Sequence, residues 1–348
     1  MNVAELVKRL EEEQVVSEET LVGDLSGIVV SGKVFNKVDF TQAEIGSCNL
    51  SGATLIECPL TGLDFTLASM NRLVLKDCDA RSGNFSSTNL GNVTATKTDF
   101  SGASFDKTRF TQSTFINCTY NSTKFNNSNL FESVFMDCSF SESEFHEIDW
   151  EGFVLTDLDF STCLFKPARL EKGVMSNCRF EDKDFRALKV RNSTFNNSVF
   201  SEVDSTQAEL SHCHFTGCRF EGVCFERAKL ETCIFSGASF SDIVFKSASM
   251  TGSNFDGAVF DRVDFTQSVL TQSRFVGGQL SETVFSDADL QQSDFSNARL
   301  NGADFSGANL KFANFHGVVG DYELPVEDEA TVFSTDDERL TLEKRCAI

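Results

Sequence analysis

The sequence predicts an all-β solenoid, a chain wound into four-sided coils, and three observations carry that prediction. Every fifth residue from Leu25 to Phe315 lies on one frame without an insertion, and 56 of these 59 centres are Phe, Leu, Ile, Val, Met, Tyr or Trp; the exceptions are Ala80, Ala95 and Ser205. Two residues before each centre, 49 of 59 positions hold Ala, Ser, Thr, Cys, Val or Gly, so a large and a small side chain in every five point inward. The centres Phe65, Phe85, Phe105, Phe125, Phe145, Phe165 and Phe185 are all phenylalanine, and after Ser205 the run resumes from Phe225 to Phe305. The parallel column from Leu90 to Leu310 is mostly aliphatic. A period of five fits neither the helical repeat of about 3.6 nor the strand repeat of about 2, so the chain must turn after each short segment. The second period stacks residues twenty apart and closes a coil in four segments. Thirty-six phenylalanines against two tyrosines, one tryptophan and three prolines are the compositional trace of this rule.

Residues 1–22 read as an N-terminal capping helix. Asn2 with Glu5 three residues on has the form of a capping box, and Val3, Leu6, Val7 and Leu10 make one apolar stripe. Such a helix covers the open strand edge of the first coil. Glu5, Lys8, Arg9 and Glu11 stand where a cleaved signal would need an apolar stretch, and no run of about 18 apolar residues occurs, so neither export by a cleaved signal nor membrane insertion is expected.

Residues 23–317 make up the solenoid. Ala303-Asp304-Phe305-Ser306-Gly307 and Ala308-Asn309-Leu310 follow the pattern A-(D/N)-(L/F)-x-x, and the chain resembles the pentapeptide-repeat family over about 290 of its 348 residues. That resemblance implies a right-handed quadrilateral β-helix with four pentapeptides per coil. The 59 pentapeptides then form about 15 coils, roughly 70 Å long at about 4.8 Å per stacked strand. Each buried central phenylalanine contributes about 1.5–3 kcal/mol, so the coil needs no cofactor to hold together. Residues 318–348 read as an acidic linker, from Asp321 to Glu329, and a short C-terminal helix. Thr335-Asp336-Asp337-Glu338 is its capping box, Leu340 and Leu342 its apolar residues, and Lys344 and Arg345 its basic end.

Residue types that carry chemistry have structural explanations here. Ten of the twelve cysteines, Cys48, Cys58, Cys78, Cys118, Cys138 and Cys178 among them, occupy the small inward position, where cysteine serves as a small hydrophobe. Stacked pairs such as Cys58 and Cys78 lie within reach of a bridge, but so many thiols suit a reducing compartment, and the cytoplasm is the expected location. In His212-Cys213-His214 the alternation turns Cys213 inward and both histidines outward, so the three do not converge on a metal. His146 and His316 read as isolated outward residues. A phosphate loop, a G-x-S-x-G elbow and an H-E-x-x-H pair are all missing from the sequence, and a convex coil offers little concave surface for a small molecule. No enzyme activity, cofactor or metal is expected.

The irregularities of the frame mark candidate protein-binding residues. Ile148, Phe153 and Leu158 fill three consecutive small positions around Trp150, so the coil must swell or turn side chains outward there, and residues 146–158 become a candidate docking patch. Lys183 and Leu188 are a second lapse. Phe131 and Phe312 fall at outward positions, and Leu340 and Leu342 belong to the terminal helix.

Two functions are weighed by charge. Relatives that act on type II topoisomerases imitate DNA with a dimeric acidic rod, which would make gyrase or topoisomerase IV the partner and the outcome inhibition or quinolone protection. Here the coil between residues 23 and 317 carries 37 acids and 25 bases, a net −12, against about 40 phosphate charges on roughly 70 Å of duplex. By side, the Phe40 and Phe100 column has 12 acids and 5 bases, the Phe65 column 12 and 7, the Leu90 column 7 and 8, and the remaining side 6 and 5. The frame also lacks the interrupting loops of the gyrase-protecting relatives. The other function is a scaffold or adaptor, in which a rigid rod presents its surface to a secretion component or effector. Leu21-Val22-Gly23-Asp24-Leu25-Ser26-Gly27 after the first helix resembles pentapeptide proteins associated with type VI secretion. The scaffold is the first reading and the DNA mimic the alternative. Direct nucleic-acid binding is disfavoured by 52 acids against 30 bases, and a homodimer through a terminus is the expected self-association.

Overall fold

The structure is a computed structural model that describes residues 1–166, 169–186, 188–325, 331–336 and 340. It is a parallel β-solenoid of about 15 turns, divided by its contacts into two units, Met1–Val174 and Met175–Ile348.

The first unit opens with the expected helix, α1, Val3–Glu12. The Asn2 side chain accepts from the Glu5 N–H, and the Glu5 carboxylate accepts from the Asn2 N–H, which satisfies two of the free donors of the first turn. Leu6 and Leu10 are buried. At the other end the Lys33 ammonium donates to the Leu10 and Glu13 carbonyls at 2.6 and 2.8 Å, a cation placed where the helix leaves its carbonyls unpaired. Parallel pairing begins before residue 23: Val15–Ser17 lies against Val34–Asn36, offset by nineteen residues. From Val34 to Val319 the offset is twenty, as in Val34 with Thr54 and Thr114 with Val134.

Most corners are made by a residue in the left-handed region, two after the centre, such as Ser82 (φ 56°), Asn117 (φ 54°) and Gly102 (φ 69°). Many of these are not glycine, although the conformation costs about 1–2 kcal/mol for a residue with a Cβ. The stack offsets that cost: the corner N–H donates to a carbonyl nineteen residues ahead, as in Ser82 to Ser101 (2.9 Å) and Gly102 to Asn121 (2.8 Å). Within the corner, Ala103 N–H returns to the Phe100 carbonyl at 3.0 Å, a closed four-residue turn.

The core is a set of ring columns. In the first unit Phe105, Phe125 and Phe145 stack at 5.3 and 4.9 Å. In the second, Phe225, Phe245, Phe265, Phe285 and Phe305 stack at 4.9–5.0 Å with interplanar angles of 5° or less. The ring spacing follows the strand spacing of about 4.8 Å, because side chains on adjacent parallel strands stand directly above one another. The small inward position has a second duty. Its hydroxyl or thiol donates to a centre carbonyl twenty-three residues back, as in Thr108 to Phe85 (2.7 Å), Ser253 to Leu230 (2.7 Å) and Cys233 to Leu210 (3.0 Å).

In the second unit the stack runs past residue 317. Val319 bridges to Arg299, Tyr322–Glu323 lies parallel to Ala303–Asp304, and Phe333 bridges to Asn314. The boundary at 317 therefore ends the fivefold side-chain frame and not the backbone pairing, since a last coil needs only its hydrogen bonds and one covered side. Leu340 N–H donates to the Asp336 carbonyl at 2.9 Å; the rest of the expected terminal helix, Leu342 included, lies outside the described residues.

Candidate functional site

The structure corrects the docking patch expected around Trp150. Ile148, Trp150, Phe153 and Leu158 are all buried, at no more than 2 % exposure, so their side chains offer nothing to a partner. None of the four is turned outward, and at Phe153 the coil above makes room: Gly173 stands over it, and a Cβ there would overlap the Phe153 ring. The Phe153 ring instead packs edge-on to Trp150 at 5.6 Å. Phe131 and Phe312 are exposed, at 38 % and 46 %. Phe312 stacks on Phe333 at 6.4 Å with the Lys311 ammonium 5.3 Å from its ring centre, and Leu340 is half-buried.

His212 and His214 face outward and Cys213 inward, with the His212 Nδ1 against the Thr232 hydroxyl. His316, expected outside, is 3 % exposed: the chain returns over it, and the Asp336 N–H donates to its Nδ1 at 3.2 Å. The inward cysteines are buried. Burial pushes the Cys48 thiol up to about 11 and the Cys213 and Cys218 thiols up to about 12. In the stacked pairs the hydrogen bond between thiols, with burial, holds Cys58 and Cys138 protonated, and the same bond lowers their partners Cys78 and Cys118. A thiol held protonated is a poor nucleophile and a poor metal ligand. Among the described residues no group of three or more His, Cys, Asp or Glu is placed to hold a metal ion, and no helix is long and apolar enough to cross a membrane. An open depression of about 450 Å³ lies between residues 302–307 and 321–325, where the chain leaves the fivefold frame.

The outward side chains divide sharply by side. On the acidic sides arginines stand between carboxylates: Arg81 between Asp79 and Asp99 at 2.6 and 3.9 Å, and Arg186 between Asp184 and Asp204 at 2.7 and 3.5 Å. The Arg81 hydrogen bond holds the Asp79 carboxyl below its usual range, and Arg262 does the same for Asp242. One side of the first unit is different. Seven stacked strands, Val34–Asn36, Thr54–Ile56, Val74–Lys76, Thr94–Thr96, Thr114–Ile116, Val134–Met136 and Val154–Thr156, form a continuous parallel ladder. Of the fourteen side chains flanking their buried centres, Lys76 alone is charged; seven are Val, Ile or Met and five are Thr. The adjacent side of the same coils carries Asp39, Asp79, Arg81, Asp99 and Asp159 at the equivalent positions. The β-branched pairs favour strand geometry along this ladder, since Val, Ile and Thr suit the pleated surface.

The sequence-level tally by side missed this face, because it counted the corners. Lys37, Glu57, Asp77, Lys97, Asp137 and Asp157 all lie at the corner beside the ladder. Counting only the two residues flanking each centre reveals it.

Comparison with known families places the chain. The signature described as pentapeptide repeat region matches residues 89–158, 208–282 and 248–321, and that of pentapeptide repeats (8 copies) matches 34–72, 48–86 and 178–222. Comparison of the sequence with curated proteins finds no match. Among solved structures, HetL, a pentapeptide repeat protein involved in heterocyst differentiation regulation from the cyanobacterium Nostoc sp. strain PCC 7120, is 15 % identical, with 90 % of this chain and 96 % of HetL covered and a TM-score of 0.25. Full-length QnrB1, a plasmid-mediated fluoroquinolone resistance protein, is 15 % identical over 96 % of this chain and 100 % of QnrB1, with a TM-score of 0.20. A pentapeptide repeat protein from the Arabidopsis thaliana thylakoid lumen is 22 % identical over 35 % of this chain and 71 % of its own, with a TM-score of 0.22. The first signature alone spans more than half of the 348 residues, and with the fivefold frame, the four-sided coil and the ring columns it establishes that this chain belongs to the pentapeptide-repeat family.

Proposed function

We propose that the protein is a non-enzymatic scaffold that works by docking other protein surfaces onto its coils, acting in the cytoplasm as an accessory to bacterial secretion or effector delivery. The observation that carries the docking reading is the uncharged face of the first unit. A side left to water normally collects charges, as the neighbouring side of the same coils does, and thirteen uncharged positions of fourteen over seven strands make a surface suited to contact with protein. The secretion context rests on the N-terminal likeness noted above. Imitation of DNA at a gyrase or topoisomerase IV is the second reading, favoured by the two acidic sides. It ranks below the first because arginines between the carboxylates neutralise them locally, whereas duplex DNA presents unpaired phosphates.

A tagged full-length chain, used to capture proteins from its native cells at moderate salt, tests the ranking. Recovery of secretion components or a toxin supports the adaptor. Recovery of gyrase or topoisomerase IV overturns it in favour of the mimic.

A further inference from the structure

We propose that the uncharged face of the first unit pairs with the same face of a second copy of this chain, a weak isologous dimer held by sheet-on-sheet packing; this rests on the docking reading and names its occupant. The face is built from the strands between Val34 and Thr156, and its flanking residues, such as Val74, Thr94, Thr114, Ile116, Val134 and Met136, are uncharged and mostly β-branched. A parallel sheet is ordinarily covered on both of its faces, and among the described residues this one is covered on its core side, where its centres are buried, while its flanking side chains stay partly or fully exposed. Two flat faces of this composition pack about 10 Å apart with interdigitating side chains.

Charge selects the partner. The chain has a net charge of −22, so two copies repel wherever their acidic sides meet, and the ladder, with one charge among its fourteen flanking side chains, escapes that repulsion. The partner must itself be flat, uncharged and β-branched along the same length, and a second copy of this chain has that surface. Area sets the strength. Seven strands at about 4.8 Å and five residues per side at about 3.3 Å, the charged corner counted as a polar rim, give a face of roughly 34 by 17 Å, or about 600 Å². Two copies then bury about 1,200 Å², the lower edge of specific interfaces, which makes the dimer dependent on micromolar concentration.

The test is sedimentation velocity of the full-length chain from about 1 to 100 µM, with two variants. Ile116→Lys places a charge mid-face, and folding tolerates it because Lys76 already occupies the same column two strands away. Thr216→Lys places one at an exposed position of the second unit. Circular dichroism and melting check that both variants are folded. The expected result is a wild-type mass that rises toward two chains, a dimer Kd raised at least about tenfold by Ile116→Lys, roughly the cost of a buried unpaired charge, and none of that change with Thr216→Lys. A wild type that stays monomeric throughout, or a dimer indifferent to Ile116→Lys, overturns self-pairing. Capture from native lysate with wild type and Ile116→Lys then separates the two readings. A protein held by the first and lost by the second leaves the docking face standing with a different occupant, and equal capture removes the docking face as well.

Discussion

Gly173→Ala should destabilise the first unit although it adds one methyl group to a solvent-remote position. The added Cβ would overlap the Cζ, Cε1 and Cε2 atoms of Phe153, where carbon atoms prefer separations of about 3.5–4.0 Å. Phe153 cannot swing away, because it is fully buried and packed against Trp150 at 5.6 Å. Overpacking of this kind costs about 1–3 kcal/mol. Phe153→Ser alone opens a cavity and costs about 3–5 kcal/mol. The double variant restores a small residue above a small residue, so its cost should fall below the sum of the two by about 1–3 kcal/mol. Trp150 is the sole tryptophan, and its buried ring touches Phe153, so its fluorescence reports on this coil directly. Urea unfolding followed at Trp150 should show a midpoint lowered by roughly 1 M for Gly173→Ala, given a slope of about 2 kcal/mol/M. A neutral Gly173→Ala, or strictly additive costs, would refute the packing of Phe153 beneath Gly173.

Tyr120 stacks between Phe100 and Phe140 at 5.0 Å on each side, and its buried hydroxyl has no hydrogen-bond partner among the described residues; Tyr120→Phe should raise stability by about 1 kcal/mol, read as a higher urea midpoint. Phe125→Ala removes a ring from the middle of a column and should cost about 3–5 kcal/mol. Thr123→Ala, by contrast, loses one hydroxyl that donates to the Phe100 carbonyl at 3.0 Å and should cost about 1 kcal/mol; equal effects on melting would contradict the inward assignment of the centres. Cysteine ionisation sets an alkaline limit. The unfolded thiol titrates at its ordinary value of 9.0, while burial raises Cys48 to about 11 and Cys213 and Cys218 to about 12. The unfolded chain therefore loses these protons first, and stability is full below pH 9 and falls as pH rises from there toward 12. Melting temperatures measured from pH 7 to 10.5 should drop above about 9, and replacing Cys48, Cys213 and Cys218 by alanine should flatten that drop.

What the sequence by itself determined was everything that repeats. The fivefold frame decided which side chains are inside, because one large and one small inward residue per segment leave the backbone a single way to close. The twentyfold column decided the stacking register, and Asn2 with Glu5 decided where the first helix starts. These signals are local or strictly periodic, so they are legible in the sequence alone. Tertiary structure decided what depends on the coil above or below. Phe153 reads as an intrusion until Gly173 is seen over it. His316 reads as outward until residues 331–336 are seen covering it. The inward cysteines read as small hydrophobes until donation such as that of Cys233 to the Leu210 carbonyl, twenty-three residues back, is seen. The uncharged face was present in the letters yet hidden by the corners, since Lys37, Asp77 and Asp157 count toward a side in sequence but stand beside it in space. In a solenoid the core answers to periodicity, whereas a surface is set by which few atoms of each repeat share one plane.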